Sequence, residues 1–517
     1  MFSKRTHRNI YLALVAALGV CMLTSVWLTN LVWVLMAANW VAEWNWREKL
    51  NNARQSRLLH LFLAIYMLYT LSLIWTSNLP EGLHVLQVKL PMLVIPLVML
   101  TSPSIEGVAR RNILTIYVLA VIVVSVVSVI RLSTLPSMNY REAVPFMSHI
   151  RFALNCCMAI CLSLYAFAQS DSWIQKTFSI IVVIWLAIFL LLIRSLTSVG
   201  ILLVVSTIFV VYYSKKAMSV RRRICLYTVW IALFGGIAAL VLTAVNDYYK
   251  LKPIATSSLK ETTISGNKYE HAYDGLIESG NYVNNYVCRI ELEQEWSKRS
   301  TVGIDESIPN GYTVYPTLVR YLNAIGETKD SSGISHLTTE QIKEIEQGIA
   351  NPVYIHGTAI QRMVSTALFE YESHRRTNRV RDFSMIERTE LWKATVQVIK
   401  KHAIIGVGCG DEVDEMHTEL RNIGSEISDT GKTTHNQYLT LLASLGILGA
   451  AVVLLFIFRA LLGARKQPIW IVAWAVIVAM SCLTEDTTIT LAGITFCTFF
   501  LAFIEKQCTD TTHLTTE

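Results

Sequence analysis

The stretch Thr434–Gly449, THNQYLTLLASLGILG, marks the point where a long polar segment of the chain ends and an apolar run begins. The apolar run continues to Phe458, so a helix that starts here is long enough to cross a membrane. His435 is therefore predicted to lie at a membrane–water boundary, facing the polar segment. Gly446 and Gly449 are interpreted as small residues through which this span packs closely against another helix.

Composition places the chain among proteins that cross the bilayer many times. Of its 517 residues, 53% are hydrophobic and only 16% are charged. Apolar runs of roughly 18 to 20 residues recur along most of the chain, which is the length that a transmembrane helix needs. The formal net charge of +7 does not indicate a nucleic-acid partner, because Lys and Arg are concentrated in short loops. We therefore expect an all-α polytopic membrane protein rather than a large soluble fold.

The pattern predicts about twelve transmembrane helices in three regions: spans 1–9 in residues 1–245, a large and mainly helical polar domain in residues 246–434, and spans 10–12 with a short tail in residues 435–517. Nearly all basic loops fall on one side, which the positive-inside rule assigns to the cytoplasm together with both termini. The polar domain then lies on the outer side. The predicted spans are roughly Ile10–Trp27, Leu31–Ala42, Leu58–Trp75, 79–100, Leu114–Ile130, Phe152–Phe167, Phe178–Ile193, Leu196–Tyr213, a ninth ending near Val245, a tenth after His435, and two more from Ile469 and Thr490.

The ten cysteines show no metal-binding pattern. Most of them lie in predicted spans, where cysteine behaves as a small apolar residue. Cys288 and Cys409 fall in the polar segment instead. They are either paired in a disulfide or free, and the sequence leaves both alternatives open.

His435 and Arg388 are the first two candidate site residues. His435 is either an ordinary boundary histidine that caps a helix or a proton acceptor in a reaction. Arg388 begins the stretch RTELWKATVQVIKKHAIIGVGCGD, in which Leu391, Ala394, Thr395, Val398 and Ile399 form the apolar stripe of an amphipathic helix. This helix could lie on the membrane surface with Arg388 directed at a lipid headgroup, although a solvated arginine is the common alternative. The glycine-rich loop 406–410 either stops the helix or offers backbone N–H groups to a phosphate.

Further candidates come from the ends of other spans on the outer side. Arg194 lies between two apolar runs, where a cation normally has an anionic partner or a function. His149 and Arg151 open the sixth span in SHIRF, and Lys89 could join them. Glu485 and the adjacent Asp486 lie in the turn before the last span, where they either take part in catalysis or form a salt bridge with one of the arginines.

A site that combines cations, a histidine and a carboxylate at the outer membrane surface is suited to bind a lipid diphosphate and react with it. Guanidinium groups bind phosphate oxygens in pairs and stabilise the charge of a diphosphate leaving group. A neutral histidine can accept a proton from an attacking hydroxyl. The sequence shows no Asp-x-Asp sugar-nucleotide signature and no cluster of metal ligands. These residues therefore favour glycosyl transfer from a lipid-linked donor without a metal ion or other cofactor.

The sequence resembles the O-antigen ligase and O-antigen polymerase family of bacterial membrane glycosyltransferases, and more closely its ligases. The resemblance rests on His435 and Gly446, which are separated by ten residues, and on the preceding segment that starts at Arg388. The turn RSLTS, the motif SHIRF and the C-terminal stretch LTEDTTITLAGITFCTFF support it. This chain has Ser198 four residues after Arg194, where the ligases usually have Leu.

The resemblance implies a twelve-span fold similar to the GT-C glycosyltransferases, with a large periplasmic domain and a location in the bacterial inner membrane. It implies metal-independent transfer of a glycan from undecaprenyl diphosphate to a sugar of lipid A-core, with inversion at the anomeric carbon. His435, Arg388 and Arg194 match the family's functional histidine and arginines. Glu485 is expected to assist catalysis, while Arg151, Lys89 and His149 are expected to help bind the diphosphate. Membrane lipids are a further expected partner.

Other functions remain open at this point. An O-antigen polymerase or a protein O-oligosaccharyltransferase would use the same lipid-linked donor and differ only in the acceptor. A transporter or flippase for a lipid-linked sugar belongs to another class. Transporters typically have inverted repeats and charged residues at mid-membrane depth. This sequence shows no clear inverted repeat and few such charges. An enzyme is therefore favoured.

Overall fold

The computed structural model describes residues 3–134, 142–217, 219–251, 259–272, 275–309, 311–463 and 468–504. The predicted cytoplasmic tail from Glu505 lies outside the described residues, as does part of the predicted cytoplasmic loop before Ile469. The chain divides into two compact units. The first comprises Met1–Arg131, Tyr140–Tyr213 and Arg388–Glu517, and the second comprises Leu132–Asn139 and Ser214–Glu387.

Helices dominate both units. In chain order the elements are α1 (Lys4–Thr24), α2 (Val26–Ala42), α3 (Trp46–Gln55), α4 (Arg57–Ser72), α5 (Leu79–Thr101), α6 (Gly107–Thr134), α7 (His149–Gln169), α8 (Trp173–Leu192), α9 (Leu196–Ala217), α10 (Val220–Tyr249), β1 (Ile277–Glu278), β2 (Asn281–Tyr282), α11 (Arg289–Arg299), α12 (Val314–Ile325), α13 (Ser331–Ser335), α14 (Thr339–Glu346), α15 (Val353–His356), α16 (Ala359–Thr377), α17 (Ser384–Lys401), α18 (Glu412–Asn422), α19 (Gln437–Gly463), α20 (Ile469–Thr484), a 3-10 turn (Thr487–Ile489), α21 (Leu491–Phe499) and a final 3-10 turn (Phe500–Phe503).

The protein is an all-α polytopic membrane protein, as the sequence predicts. Within the described residues, eight helices are long and apolar enough to cross a membrane, or up to nine if α2 and α3, which are bent by 118° at their junction, count as one span. Three shorter apolar helices, α4, α20 and the C-terminal Leu491–Phe503, accompany them. Each of the twelve predicted spans falls on one of these apolar helices.

Helix α7 forms the centre of the first unit. Its residues from Phe152 to Ser163 are all buried, as expected for a helix that is apolar on every side. It packs against α8 and α20. The cysteines of this helix are buried free thiols that fill space between the helices.

The second unit has its own core around the buried Trp296 of α11 and carries a single two-stranded antiparallel ladder within its described residues. Arg320 binds Glu278 through two hydrogen bonds of 2.8 and 2.9 Å, which joins α12 to β1. Helix α14 begins with a capping box formed by Thr338 and Gln341. Cys288 in this unit and Cys409 in the first unit are both free and buried, so the alternative of free thiols holds.

Gly446 has a different role from the predicted one. It breaks α19 with φ of 64° and ψ of −172°, a conformation that strongly favours glycine. A Cβ atom at this position would meet the carbonyl oxygen of Ile404 at 2.3 Å, in the loop after α17. The interpretation of Gly446 as a helix–helix contact is therefore wrong, because its close neighbour is loop backbone.

The loop after α17 fills the break in α19 by backbone hydrogen bonding. Ile447 and Leu448 donate their N–H groups to Ala403 and Ile404, while Val407 and Gly408 donate theirs to Ala443 and Ser444. These bonds replace the helical bonds that the break removes, which a span requires inside a membrane.

Residues 406–410, all of which the structure describes, have no free N–H group for a phosphate. Val407 and Gly408 use theirs on α19, Cys409 donates to the Ser72 hydroxyl, and Gly410 donates to the Thr76 hydroxyl. Gly406 donates to the His402 carbonyl. Residues 406–410 therefore fasten α17 to α19 and α4 rather than form a phosphate cradle.

We predict that Gly446→Ala lowers the thermal stability of the purified protein by several degrees, because alanine adds backbone strain and a clash with Ile404. Gly200→Ala in α9 is the matched control, since a Cβ atom at Gly200 meets no other atom within 4 Å and alanine favours the helix. Melting of the detergent-solubilised protein, followed by tryptophan fluorescence, measures both. Equal melting temperatures for the two variants would contradict this account of Gly446.

Candidate active site

Arg388 lies on the half-buried edge of α17. Leu391, Ala394 and Val398 are buried, as the amphipathic stripe predicts, and they fix which face of the helix packs against the protein. Arg388 and Trp392, one turn apart, are both half-buried beside this stripe. Arg388 therefore lies at the boundary between the buried and the exposed face of α17.

Glu485 joins Arg388 to His435. It follows α20 directly and is only 7% exposed. One carboxylate oxygen forms an ion pair with Nη2 of Arg388, and the other lies 3.5 Å from Nδ1 of His435. Three residues that are far apart in the chain therefore meet at one carboxylate, as the predicted site requires.

The pKa of Glu485 reflects its partners. Burial by itself would raise the pKa, but the hydrogen bond with His435 and the charges of Arg388 and Arg151 outweigh burial and hold the pKa below its ordinary value. Glu485 is therefore an ionised carboxylate at neutral pH. An ionised Glu485 favours the proton of a neutral His435 on Nδ1, which leaves Nε2 as the proton acceptor.

Asp486 holds the backbone of His435. The N–H group of His435 donates to Oδ2 of Asp486 at 2.8 Å, and the hydroxyl of Thr440 donates to Oδ1 at 2.8 Å. His435 has φ of 53°, a left-handed conformation that is uncommon outside glycine and needs such support. Asp486 is only 2% exposed, so its carboxylate is shielded from water.

A third buried acid, Glu412, is linked to Thr434, the residue before His435. The hydroxyl of Thr434 donates to Oε1 of Glu412 at 2.7 Å and lies 3.1 Å from the hydroxyl of Thr395 on α17. Burial, followed by the negative charge of Asp486, raises the pKa of Glu412 to about 7, although Thr434 and Lys89 oppose the shift. The stretch GDEVDEMH, residues 410–417, gives no sign that Glu412 is buried, so the sequence does not identify this acid as part of the site.

Lys89 extends from α5 to the turn that contains Glu485 and Asp486, here called the acidic turn, residues 485–489. Its Nζ donates to the carbonyl and hydroxyl oxygens of Thr488 at 3.1 and 3.3 Å and lies 4.6 Å from the centre of the Tyr69 ring. Thr488 in turn donates from its N–H and hydroxyl groups to Oε1 of Gln437 at 2.9 and 2.6 Å. Lys89 therefore fastens the turn to α5 and α19.

Arg151 also faces the acidic turn. The charges of Glu485 and Asp486 act on its guanidinium group, although Arg151 belongs to the first turn of α7. Its Nε atom is buried, and no residue in the described part of the chain accepts a hydrogen bond from it. His149 begins the same helix two residues earlier.

Arg194 lies in the short turn between α8 and α9, with φ of 51°. The turn is connected to the end of α20, since the hydroxyl of Thr197 lies 3.4 Å from that of Thr484, the residue before Glu485. Ser198 is fully buried and lies 2.8 Å from the Ser195 hydroxyl. The structure therefore brings Arg388 and His435 each into contact with Glu485 and adds Lys89 and Arg151 around the same turn. Arg194 lies in the turn between α8 and α9, and His149 is the first residue of α7.

The fold and the site define the class of the protein: a polytopic all-α membrane protein with a histidine, a carboxylate and arginines gathered at the ends of its spans. Residues 349–454 match the model of the family described as O-Antigen ligase. The matched segment includes Arg388, His435 and Gly446. Over this segment the chain is therefore similar to the O-antigen ligase family, whose members are membrane glycosyltransferase-like enzymes, and the family resemblance predicted from the sequence is confirmed there. No curated protein was found to match the chain.

We predict that Glu412 makes the protein less stable as the pH rises. Its pKa of about 7 in the folded state lies above the ordinary value of 4.5. The stability that its neutral form contributes is therefore fully present below about pH 4.5 and is lost as the pH rises through about 7. The total is at most a few kcal/mol, at about 1.4 kcal/mol per pKa unit. Glu412→Gln cannot ionise, so it should melt at a higher temperature than the wild type at pH 8 and close to it at pH 5.

The control for this measurement is Glu415→Gln, a half-exposed position on the same helix. This variant should keep the wild-type difference in melting temperature between pH 5 and pH 8. If Glu412→Gln keeps that difference as well, the buried acid is not the group that titrates.

Proposed function

We propose that the protein is an O-antigen ligase that transfers a glycan from undecaprenyl diphosphate to a sugar of lipid A-core at the periplasmic face of the bacterial inner membrane. The reaction inverts the anomeric carbon and, as the resemblance implies, needs no metal ion. The observation that carries the proposal is the shared carboxylate of Glu485, which holds a phosphate-binding cation, Arg388, beside a candidate base, His435.

The basic residues around the turn bind the diphosphate in this proposal. Arg388 and Arg151 face the acidic turn, Lys89 reaches it from the middle of α5, and Arg194 and His149 lie at the ends of other helices. Guanidinium groups form paired hydrogen bonds with phosphate oxygens and stabilise the negative charge that grows as the diphosphate leaves. The buried Nε of Arg151 supports this role, because it is a donor that no described residue satisfies.

His435 accepts the proton of the attacking hydroxyl. Its Nδ1–H group faces Glu485, so Nε2 is the nitrogen available to the acceptor sugar. The acceptor oxygen forms a bond to the anomeric carbon while the bond from that carbon to the diphosphate oxygen breaks on the opposite side, which inverts the configuration. The proton moves to Nε2, and the ionised Glu485 stabilises the resulting imidazolium.

The same proposal places the site on the outer side of the membrane. Basic loops assign the cytoplasm to the opposite side, with both termini, and the polar segment 246–434 to the periplasm. Undecaprenyl diphosphate enters from the bilayer, and lipid A-core approaches with its sugars on the periplasmic side. Residues 1–245 and 435–517 then supply the spans.

We expect His435→Ala and Arg388→Ala each to lower glycan transfer at least 100-fold, because a positioned base and a leaving-group cation each contribute rate factors of this order. The assay follows transfer from undecaprenyl-diphosphate-linked glycan to lipid A-core by the purified protein. Matched controls are His402→Ala and Lys393→Ala, since both side chains are exposed and lie on or next to α17. The controls should retain full activity. Normal transfer by His435→Ala or Arg388→Ala would overturn the site.

Deletion of the gene separates ligase from polymerase activity in cells. Loss of a ligase should leave long glycan attached to the lipid carrier and lipid A-core without O-antigen. Loss of a polymerase should leave lipopolysaccharide with a single repeat unit instead. Gel electrophoresis of lipopolysaccharide distinguishes these patterns, and the single-repeat pattern would exclude the ligase assignment.

A further inference from the structure

Trp392 has a hydrogen-bond donor that the protein does not use. The side chain is half-buried on α17, and its indole Nε1 atom is shielded from solvent. No residue in the described part of the chain accepts a hydrogen bond from it. Indole N–H groups that are buried usually have a partner, because an unsatisfied donor costs free energy.

The position of Trp392 places this donor at the candidate active site. It follows Arg388 by four residues on α17, so the two side chains lie on the same edge of the helix. Thr395, three residues further on, meets the hydroxyl of Thr434 at 3.1 Å, and Thr434 precedes His435. Along α17, Trp392 therefore lies between Arg388 and Thr395, the residue that contacts the segment carrying the candidate base.

The chemistry of an indole at this position is suited to a sugar. Its N–H group is a neutral donor, and its ring offers a flat apolar surface. A pyranose ring presents hydroxyl oxygens at its edge and C–H groups on its face, so both parts of the indole have a counterpart. A diphosphate is matched better by the guanidinium of Arg388, which is charged and offers paired donors.

We propose that Trp392 is a sugar-binding residue that receives a pyranose ring next to the reacting anomeric carbon, donates its indole N–H group to a sugar oxygen and packs its ring against the sugar face. The proposal rests on the proposed glycosyl transfer. The sugar belongs either to the lipid-linked donor or to the acceptor, and the experiment below separates the two.

Trp470 shows that an unused indole N–H group alone does not make a sugar site. Its Nε1 atom also has no acceptor among the described residues, but the side chain is 0% exposed and packs near Phe500 and Phe503 in the core of the first unit. The Trp470 ring therefore has no exposed face for a ligand, whereas the Trp392 side chain is partly exposed. Trp470→Phe is therefore a matched control that removes the same kind of donor away from the site.

The test compares Trp392→Phe, which keeps an aromatic ring and deletes the N–H group, with Trp392→Ala and Trp470→Phe in the purified, full-length protein. We expect Trp392→Phe to raise the KM of either the glycan donor or the acceptor about tenfold with little change in kcat, and Trp392→Ala to raise it further. Whichever substrate shows the increase contributes the sugar. Trp470→Phe should keep both KM values.

Inhibition by undecaprenyl diphosphate without a glycan tests the ligand class. Its inhibition constant should be unchanged in Trp392→Phe, since this molecule has no sugar. A parallel weakening of inhibition would show that the indole binds the diphosphate and would overturn the sugar assignment, as would unchanged KM values in both Trp392 variants.

The failure of the proposed function and the failure of the sugar-binding role give different results. If the wild-type protein transfers no glycan, the proposed function fails. If the wild type is active and the Trp392 variants are unaffected, only the sugar-binding role is refuted. Equal melting temperatures of wild type and variants exclude misfolding.

Discussion

The candidate site depends on one buried carboxylate that serves two partners. Glu485 binds Arg388 through one oxygen and faces Nδ1 of His435 with the other. A buried ionised carboxylate is costly unless it is paired, and removal of a partner from such a pair leaves an uncompensated charge. The helix that carries Arg388, the start of α19 and the turn after α20 are therefore held together by the same requirement. Asp486 adds a second constraint, because it binds the backbone of His435 rather than its ring.

Backbone hydrogen bonds also join the helix that carries Arg388 to the helix that follows His435. The break at Gly446 opens α19, and the loop after α17 closes the gap with four backbone hydrogen bonds. The helix of Arg388 is thereby joined to the helix that follows His435. Because glycine alone tolerates the conformation and the close approach at this point, the spacing between His435 and Gly446 has a structural reason that is separate from any contact with a ligand.

The sequence predicts the helices, and it singles out the residues that meet at Glu485, because both features are marked locally in the chain. Apolar length gives the spans, and a cation or histidine at the end of a span, such as Arg388 or His435, is conspicuous in an apolar chain. The break at Gly446, the contact of Lys89 with Thr488 and the burial of Glu412 are not encoded locally. Each depends on a partner far along the chain, and an ordinary glycine, lysine or glutamate gives no sign of that partner.

The acidic turn is surrounded by cations from three helices. Lys89 on α5 donates to Thr488, Arg388 on α17 binds Glu485, and the charges of Glu485 and Asp486 act on Arg151 in the first turn of α7. In the proposed function the same cations bind the diphosphate, because guanidinium and ammonium groups form strong hydrogen bonds with phosphate oxygens. Glu412 contacts Thr434 rather than these cations, so it is separate from the pairing of Arg388, Glu485 and His435.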